Sequence, residues 1–178
     1  MEYEPAGFIA LNAEDKFLQP ESLRISSSMQ SINLNTLKAI KRDNIKLDDY
    51  RAVQQQMKER GLMTMADIIL GLPEETKETH FNGILELVDS GVQEFTTYQA
   101  MMLKSTELDS KSTRETYGLS TSWRLIPRAL GEYNILDKKV CSGEIEEIVT
   151  STNTLSKSDY FDARRLHFVT QLFNNSGL

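Results

Sequence analysis

The sequence predicts an α/β fold in which parallel strands are joined by crossover helices. Short apolar runs of strand length alternate with stretches of helical spacing, in the order strand, two helices, strand, helix, strand. Two of the helical stretches end at a glycine, Gly61 and Gly91. Strands that alternate with helices form right-handed crossover units, so we expect a piece of a parallel sheet or barrel.

The first predicted elements are a strand and a short helix. Residues 1–19 show no clear periodicity, and Pro20 marks a break after them. Residues 23–28 alternate apolar and polar side chains, which predicts a strand. Asn33 is a good cap for a helix that ends at Asp43 and Asn44. The apolar positions of this helix are Leu34, Leu37 and Ile40.

A second helix and a buried strand follow. The helix begins near Asp48 and ends at Gly61, and its predicted buried positions are Tyr50, Val53 and Met57. Residues 63–70 form an apolar run that is too short for a helix and suits a strand covered on both faces.

A tight turn then leads into a third helix. Gly71 permits a sharp turn or a close approach of the backbone, and Pro73 cannot donate to a strand partner, so the strand has ended by then. Thr76 is a plausible helix cap. The helical spacing after it predicts apolar positions at Phe81, Ile84, Leu85 and Val88. Residues 93–103 are predicted to form the next strand.

The last third of the chain has a different character. Residues 118–134 lack periodicity and are interpreted as an irregular excursion, whereas residues 145–150 are a candidate strand. Ser156 or Ser158 is expected to cap a final helix that ends at residues 174–177. Its predicted apolar positions are Phe161, Leu166, Val169, Leu172 and Phe173.

The composition restricts the classes of function. With 178 residues the chain is one domain or part of one, and its net charge of −6 argues against binding nucleic acid through bulk charge. The single cysteine, Cys141, permits no disulfide within the chain, which indicates a reducing, cytoplasmic compartment. No apolar run reaches about 18 residues, so we expect no membrane span. Residues 1–5 carry no basic charge and are not a signal peptide.

Polar residues at the predicted strand ends are the candidate site. Gln30 follows the first strand, Asp67 lies on the second, Gln99 is late on the third, and Arg42 ends the helix after Gln30. Ligands of parallel α/β folds bind beyond the carboxyl ends of the strands. Arginine pairs with a carboxylate and aspartate accepts from sugar hydroxyls, so these residues suit a ligand that carries both groups. Alternatively, Arg42 is a solvated helix end and Asp67 caps a turn or faces solvent.

Other polar residues have simpler interpretations. His80 and His167 are far apart in sequence without metal-ligand spacing, so we expect surface positions or hydrogen-bonded core positions for them. Glu74 and Glu75 are able to pair as acid and base, but carboxylates at a helix N-terminus are already favourable. Cys141 is expected to be a small buried or loop residue.

Several stretches resemble the radical S-adenosylmethionine (SAM) superfamily, and within it the cobalamin-binding enzymes. They are residues 28–31, 37–45 and 67–76, with 117–118, 123–128, 152–154 and 159–160 in the tail. The resemblance covers residues 23–175 and implies half of a partial triose-phosphate-isomerase (TIM)-type barrel over residues 23–108. Residues 109–178 would be an α-helical C-terminal extension, and residues 1–22 a poorly defined N-terminal segment.

The resemblance also implies roles for matching residues. Gln30 and Asp67 would contact the ribose of SAM, and Arg42 would bind its methionine carboxylate. Ile69 would pack against the adenine, and Gly71 would let the backbone pass closely. The implied activity is reductive cleavage of SAM to a 5′-deoxyadenosyl radical, followed by hydrogen abstraction from a substrate.

The sequence departs from this family in one large respect. The [4Fe–4S] cluster of these enzymes is held by three closely spaced cysteines, and this chain has one. We therefore expect no catalytic residue and no metal ligand in the chain. The cluster, and the cobalamin of the cobalamin-binding members, would belong to a full-length parent. The chain alone is then expected to be inactive, and its partners are a small-molecule cofactor and a missing N-terminal half. The alternatives are a non-catalytic scaffold that docks such a half, and a generic nucleotide-binding module.

Overall fold

The computed structural model describes residues 25–26 and 28–175. Its centre is a three-stranded parallel sheet in the order β1 (Ile25–Ser26), β2 (Thr64–Leu70) and β3 (Glu94–Gln99). Helices α1 (Leu34–Ala39) and α2 (Leu47–Glu59) connect β1 to β2, and α3 (Lys77–Asp89) connects β2 to β3. The predicted α/β class with parallel strands is confirmed. Half of a TIM-type barrel stays a prediction.

Strand β2 has two distinct faces. Thr64, Ala66, Ile68 and Leu70 are buried, whereas the residues between them are half-buried. Ala66 and Ile68 pack with Tyr50 of α2 and with Ile84 and Leu87 of α3. The helices therefore cover one face of the sheet. The other face carries Asp67, whose neighbour on β3 is Thr96.

The three helices of the central region begin at the expected places. Asn33 caps α1 by accepting from the backbone N–H of Asn35, and Thr76 forms a capping box with Thr79 at α3. The predicted buried positions of α2, namely Tyr50, Val53 and Met57, are confirmed.

The buried face of α3 differs from the prediction. Leu85 and Val88 are exposed, and the buried residues are His80, Gly83, Ile84 and Leu87. The core-facing stripe of α3 includes a histidine, His80. A prediction that follows apolar residues alone therefore placed the stripe at Leu85 and Val88, which face solvent.

The interpretation of residues 118–134 as irregular is wrong. They lie mostly in β4 (Ser120–Ile135), which pairs with β5 (Lys138–Ser151) in an antiparallel two-stranded ribbon. A register shift between Leu125 and Leu130 marks a bulge in β4. The C-terminal extension is therefore not purely helical, because a β-ribbon forms a large part of it.

The base of the ribbon joins the end of the sheet. The backbone N–H of Met102 donates to Glu147 O (2.8 Å), and Val149 N–H donates to Ala100 O (2.9 Å). Helix α4 (Lys111–Thr116) precedes the ribbon. Arg114 of this helix holds the Glu147 carboxylate through two hydrogen bonds of 2.8 and 3.0 Å. Hydrogen bonds from Arg114 and then Thr121 lower the pKa of Glu147 to about 2.

The last helix, α5 (Lys157–Thr170), is capped by Ser156 and continues into a π-helical turn (Gln171–Asn175). Its predicted apolar face is confirmed at Leu166, which is partly buried against the core, but not at three of its other large residues. Phe161, Val169 and Phe173 are exposed, and the buried residues are Tyr160, Ala163, His167 and Thr170. No helix in the described part of the chain is long and apolar enough to span a membrane.

The N-terminal predictions are only partly covered. Residues 1–24 and 27, which include half of the predicted first strand and the whole aperiodic segment, lie outside the described residues.

Candidate functional site

A cleft of about 930 Å³ lies at the carboxyl ends of β1 and β2. The loop after β1, the end of α1, the turn after β2 and helix α4 with its flanking residues form its walls. Its lining includes Gln30, Arg42, Leu72, Glu74, Glu107 and Tyr117. This is the edge of a parallel sheet at which ligands of α/β proteins bind.

Gln30 is held at the rim by its backbone. Its N–H donates to Asp67 O (3.0 Å), and its carbonyl accepts from the N–H of Ile69 (2.8 Å). Its φ of 55° lies in the left-handed region, which is uncommon for residues other than glycine and often marks a functional position. Among the described residues its carboxamide has no hydrogen-bond partner, so it is available to a ligand in the cleft.

Arg42 lines the same cleft and also holds the loop after β1. Its Nε donates to Asn44 Oδ1 (3.1 Å) and its second terminal nitrogen donates to Ser28 O (2.9 Å). Both acceptors are neutral, and no carboxylate of the described residues pairs with this guanidinium. Arg42 therefore keeps its positive charge and part of its donor capacity for an anion.

Asp67 and Ile69 lie on the sheet face that the helices leave uncovered. The Asp67 side chain is half-buried and has no hydrogen-bond partner among the described residues. Asp67 is not among the residues that line the cleft of Gln30 and Arg42. Ile69 packs against the cluster of Leu72, Ala100, Met102 and Val149.

Gly71 makes the close approach that the sequence allowed for, and its neighbour is Val149 of the ribbon. Its φ is 88°, and a Cβ on it would lie 3.3 Å from Val149 O and 3.4 Å from Val149 Cβ. The space beside Gly71 is thus taken by the ribbon. The structure brings Gln30 and Arg42 to one cleft and places Asp67 and Ile69 on the adjoining sheet face. The roles of all five residues as cofactor ligands stay predictions.

Of the two expectations for His80 and His167, surface or hydrogen-bonded core, the structure shows the core, in a buried polar group with Glu75 whose contacts the sequence did not predict. Glu75 and the two histidines, His80 and His167, are almost fully buried, and the histidine Nε2 atoms are 2.7 Å apart. Burial, with His80 and Arg164 nearby, lowers the pKa of His167 to about 3. A signal was present, because His80 precedes Ile84 and Leu87 at i+4 and i+7 and therefore shares their core-facing stripe.

The described residues do not form a metal centre. No group of three or more His, Cys, Asp and Glu side chains among them is arranged to hold a metal ion. Cys141 is exposed on β5, with Sγ 3.7 Å from Glu132 Oε1. The expectation that Cys141 is a buried or loop residue is therefore wrong, because its strand is exposed to solvent.

Comparison with known proteins identifies relatives of this chain. Over 95 residues it is 39% identical to the cobalamin-dependent radical SAM methyltransferase TokK of Streptomyces tokunonensis. The chain is a homologue of the cobalamin-dependent radical SAM methyltransferases. The predicted resemblance to cobalamin-binding radical SAM enzymes is thereby confirmed. No protein-family model matches the chain.

A second relative matches a longer part of this chain. It is 30% identical over 151 residues to a 2-(S-pantetheinyl)-carbapenam-3-carboxylate methyltransferase of Streptantibioticus cattleyicolor. The matched segments are 53% and 83% of this chain, but only 14% of TokK and 21% of the second relative. The chain therefore spans a small part of either enzyme.

A solved structure with a partial match is the radical SAM methyltransferase TsrM from Kitasatospora setae, determined with tryptophan substrate and a SAM analogue bound. The match has 14% identity and a TM-score of 0.42, and covers 57% of this chain and 20% of that one.

Proposed function

We propose that this chain supplies the ribose and carboxylate side of a SAM site in an enzyme related to the cobalamin-dependent radical SAM methyltransferases. In this proposal its strands are half of a TIM-type barrel. The main support is the cleft at the carboxyl ends of β1 and β2. It is lined by the Gln30 carboxamide, which has no hydrogen-bond partner among the described residues, and by the Arg42 guanidinium, whose described acceptors are neutral.

Each of the five residues has a chemical task in the proposed site. Arg42 binds the SAM carboxylate through its remaining N–H donors. Gln30 bonds a ribose hydroxyl, and Asp67 accepts from ribose hydroxyls across the strand edge. Ile69 offers an apolar surface to the adenine, and Gly71 keeps the turn after β2 tight. Bound SAM would supply the reactive group for reductive cleavage and hydrogen abstraction, and the parent reaction would be methyl transfer.

The residues present do not fit a [4Fe–4S] cluster. The cluster requires three thiolates with an open iron for SAM, whereas this chain has one cysteine, exposed on the ribbon. The reductive step is therefore not assigned to any residue of this chain. A polypeptide that carries the cysteines would have to complete the site.

A second candidate function is a scaffold that binds no SAM and docks a separate N-terminal half. It is favoured by the exposed apolar side chains of the ribbon. These are Trp123, Leu125, Leu130 and Ile145, each more than half exposed. Large exposed apolar patches mark interaction surfaces.

Asp67→Ala is the test of the proposed site, because no described residue depends on the Asp67 side chain for a hydrogen bond. Loss of one charge-assisted hydrogen bond to ribose costs about 1.5–3 kcal/mol, or roughly tenfold to a hundredfold in SAM affinity. We expect this loss of affinity when SAM is titrated calorimetrically into the chain combined with the cluster-bearing half of a relative. The melting temperature of the variant, measured separately, should be unchanged.

The matched control is Asp49→Ala, which removes an exposed carboxylate from the first turn of α2. We expect it to leave SAM affinity unchanged. If Asp67→Ala lowers the melting temperature and leaves SAM affinity unchanged, Asp67 is a structural residue and does not belong to the site. If the unaltered chain forms the complex but adds nothing to SAM binding, the scaffold function is supported instead.

A further inference from the structure

A line of polar side chains crosses the core from α5 to the loop that carries Gln30. Its members, in spatial order, are Arg164, His167, His80, Glu75 and Ser31. The last four are at most 3% exposed. They come from four separate segments of the chain, and the line starts at the half-exposed Arg164 and ends beside the candidate SAM cleft.

Successive members of the line are close together. A terminal nitrogen of Arg164 lies 3.0 Å from His167 Nδ1, and the two histidine Nε2 atoms are 2.7 Å apart. His80 Nδ1 is 3.8 Å from Glu75 Oε2. Ser31 Oγ donates to the other oxygen, Glu75 Oε1, over 2.8 Å.

Arg164 determines where each proton lies. A guanidinium only donates, so His167 Nδ1 must accept and His167 carries its proton on Nε2. That proton is donated to His80 Nε2, which leaves His80 with its proton on Nδ1. The Glu75 carboxylate, with Oε2 3.8 Å from His80 Nδ1, then faces the protonated nitrogen across an electrostatic contact that is longer than a hydrogen bond.

This assignment gives two unsatisfied atoms complementary charges. Glu75 Oε2 and His80 Nδ1 are buried without a hydrogen bond and lie 3.8 Å apart, so a proton on Nδ1 places a positive dipole opposite the carboxylate. The carboxylate also lies at the N-terminus of α3, where the helix dipole favours negative charge.

The line ends at Ser31, which further hydrogen bonds hold in place. Ser31 Oγ accepts from the backbone N–H of Asn33 (3.1 Å), and Ser31 O accepts from Asn44 Nδ2 (2.8 Å). Gln30, the preceding residue, holds an uncommon left-handed φ. Clamping Ser31 therefore restrains the backbone on which the Gln30 carboxamide depends.

We propose that His167, His80 and Glu75 are positioning residues, which act through Ser31 to hold Gln30 in its ligand-binding conformation. The inference rests on the proposed function for Gln30 and deepens it, because it makes helix α5 of the C-terminal extension part of the SAM half-site. Burying these polar side chains costs desolvation free energy that apolar residues of equal size would avoid. In this proposal the buried groups hold one defined conformation of the loop.

The test uses the full chain labelled with ¹⁵N. The chain has two histidines, so long-range ¹H–¹⁵N spectra assign both rings. At neutral pH we expect His167 as the Nε2–H tautomer and His80 as the Nδ1–H tautomer. Arg164→Ala should let His167 populate its other tautomer and should shift the backbone amides of Gln30 and Ser31.

Neighbouring variants provide the controls. Arg165→Ala removes the adjacent, exposed arginine, which pairs with Asp162, and should leave both tautomers and the Gln30 amide unchanged. Arg164→Lys keeps a donor and should restore the tautomers. The inference is overturned if His80 carries its proton on Nε2 in the unaltered chain, or if Arg164→Ala leaves the Gln30 and Ser31 amides in place.

SAM titration separates this inference from the proposed function. If the proposed function and the positioning line are both right, Gln30→Ala weakens SAM binding and Arg164→Ala weakens it to a smaller extent. Arg165→Ala should then leave SAM binding unchanged. If Gln30→Ala has no effect on SAM affinity, the proposed function fails whatever the tautomers are. If Gln30→Ala weakens binding while Arg164→Ala leaves it unchanged, the proposed function holds and the positioning line is rejected.

Discussion

Gly71 shows at the scale of one residue how the ribbon and the central sheet depend on each other. Its positive φ of 88° strains any residue with a side chain, and Val149 of the ribbon fills the place where a Cβ would lie. The tight turn after β2 therefore depends on a residue without a side chain at this position.

Gly71→Ala is predicted to destabilise the chain more than Gly91→Ala does. Both glycines have a positive φ, of 88° and 84°, so both variants suffer backbone strain of about 1–2 kcal/mol. Only Gly71 has a neighbour within 4 Å of the new Cβ, and overpacking adds about 1–3 kcal/mol. Urea unfolding of the two variants measures the difference, and equal losses would show that Val149 moves aside freely.

The sequence predicted those parts of the candidate site that depend on a residue's type and on its position within a single strand or helix. Gln30 and Arg42 were singled out because each follows or ends a recognisable element, and Asp67 because it is a carboxylate within an apolar strand. The Ser31–Glu75 and His80–His167 contacts join residues 44 and 87 positions apart, and no local pattern connects such partners. For the histidines, the sequence left surface and hydrogen-bonded core positions open, and their places on the core-facing stripes of α3 and α5 show that they lie in the core.

At the scale of elements, the edge of β3 is closed by a side chain instead of a strand. The Asn175 carboxamide accepts from Phe95 N–H (2.9 Å) and donates to Phe95 O (2.7 Å), while Asn174 donates to Gln93 O (3.0 Å). This pairing takes up backbone groups that an edge strand would offer to another chain. The π-helical turn after α5 places both asparagines there.

Removal of this clamp by Asn175→Ala should loosen the β3 edge. The two hydrogen bonds to Phe95, of about 0.5–1.5 kcal/mol each, are lost together with those to Asn174 and Gln171, and the Phe95 N–H is left without a partner. We expect faster amide hydrogen exchange at Phe95 and a stability loss of about 1–3 kcal/mol. Asn82→Ala, at an exposed position of α3, is the control and should change neither quantity. Unchanged exchange at Phe95 would mean that the clamp is not formed in solution.

The elements that sequence predicted well are those that pack on the core. Helix α2 has clear periodicity because one side is buried, and strand β2 has a short apolar run because Ile68 packs against the helices and Ile69 packs beside the ribbon. The ribbon of β4 and β5 is exposed on both sides for much of its length, so it carries no alternation. Its turn at Leu136 and Asp137 has positive φ at both residues without the glycine or asparagine that signals such hairpins.

At the scale of the whole molecule, the ribbon should make the isolated chain self-associate. Leu125, Leu130 and Ile145 are exposed, and Leu125 and Leu130 both lie over Gly143. A ribbon of two strands covers neither of its faces, so apolar side chains there remain in water. Sedimentation should show oligomers of the unaltered chain. The double variant Leu125→Lys with Leu130→Lys should be monomeric, whereas Leu136→Lys at the exposed turn should still form oligomers. A monodisperse monomer with a sharp cooperative melt would contradict this.

The stability of the whole chain should fall with acid before its carboxylates are protonated. Burial lowers the pKa of His167 from 6.5 to about 3, so between these values the unfolded chain binds a proton that the native chain does not. The free energy of unfolding should then fall by up to about 1.4 kcal/mol for each unit that the pH drops below 6.5. Urea unfolding between neutral pH and about pH 5 measures this slope.

Two variants assign the proton that causes this acid dependence. His167→Gln should reduce the slope by one proton. Glu147→Gln should leave it unchanged in this window, because the Glu147 carboxyl has an ordinary pKa of 4.5 and a lowered native pKa of about 2, so its contribution is lost only at lower pH. An equal slope in the unaltered chain and in His167→Gln would show that His167 is protonated, or exposed, in the native chain. The tautomer assignment along the buried line would then fail with it, because a protonated His167 donates from both ring nitrogens and cannot accept from Arg164.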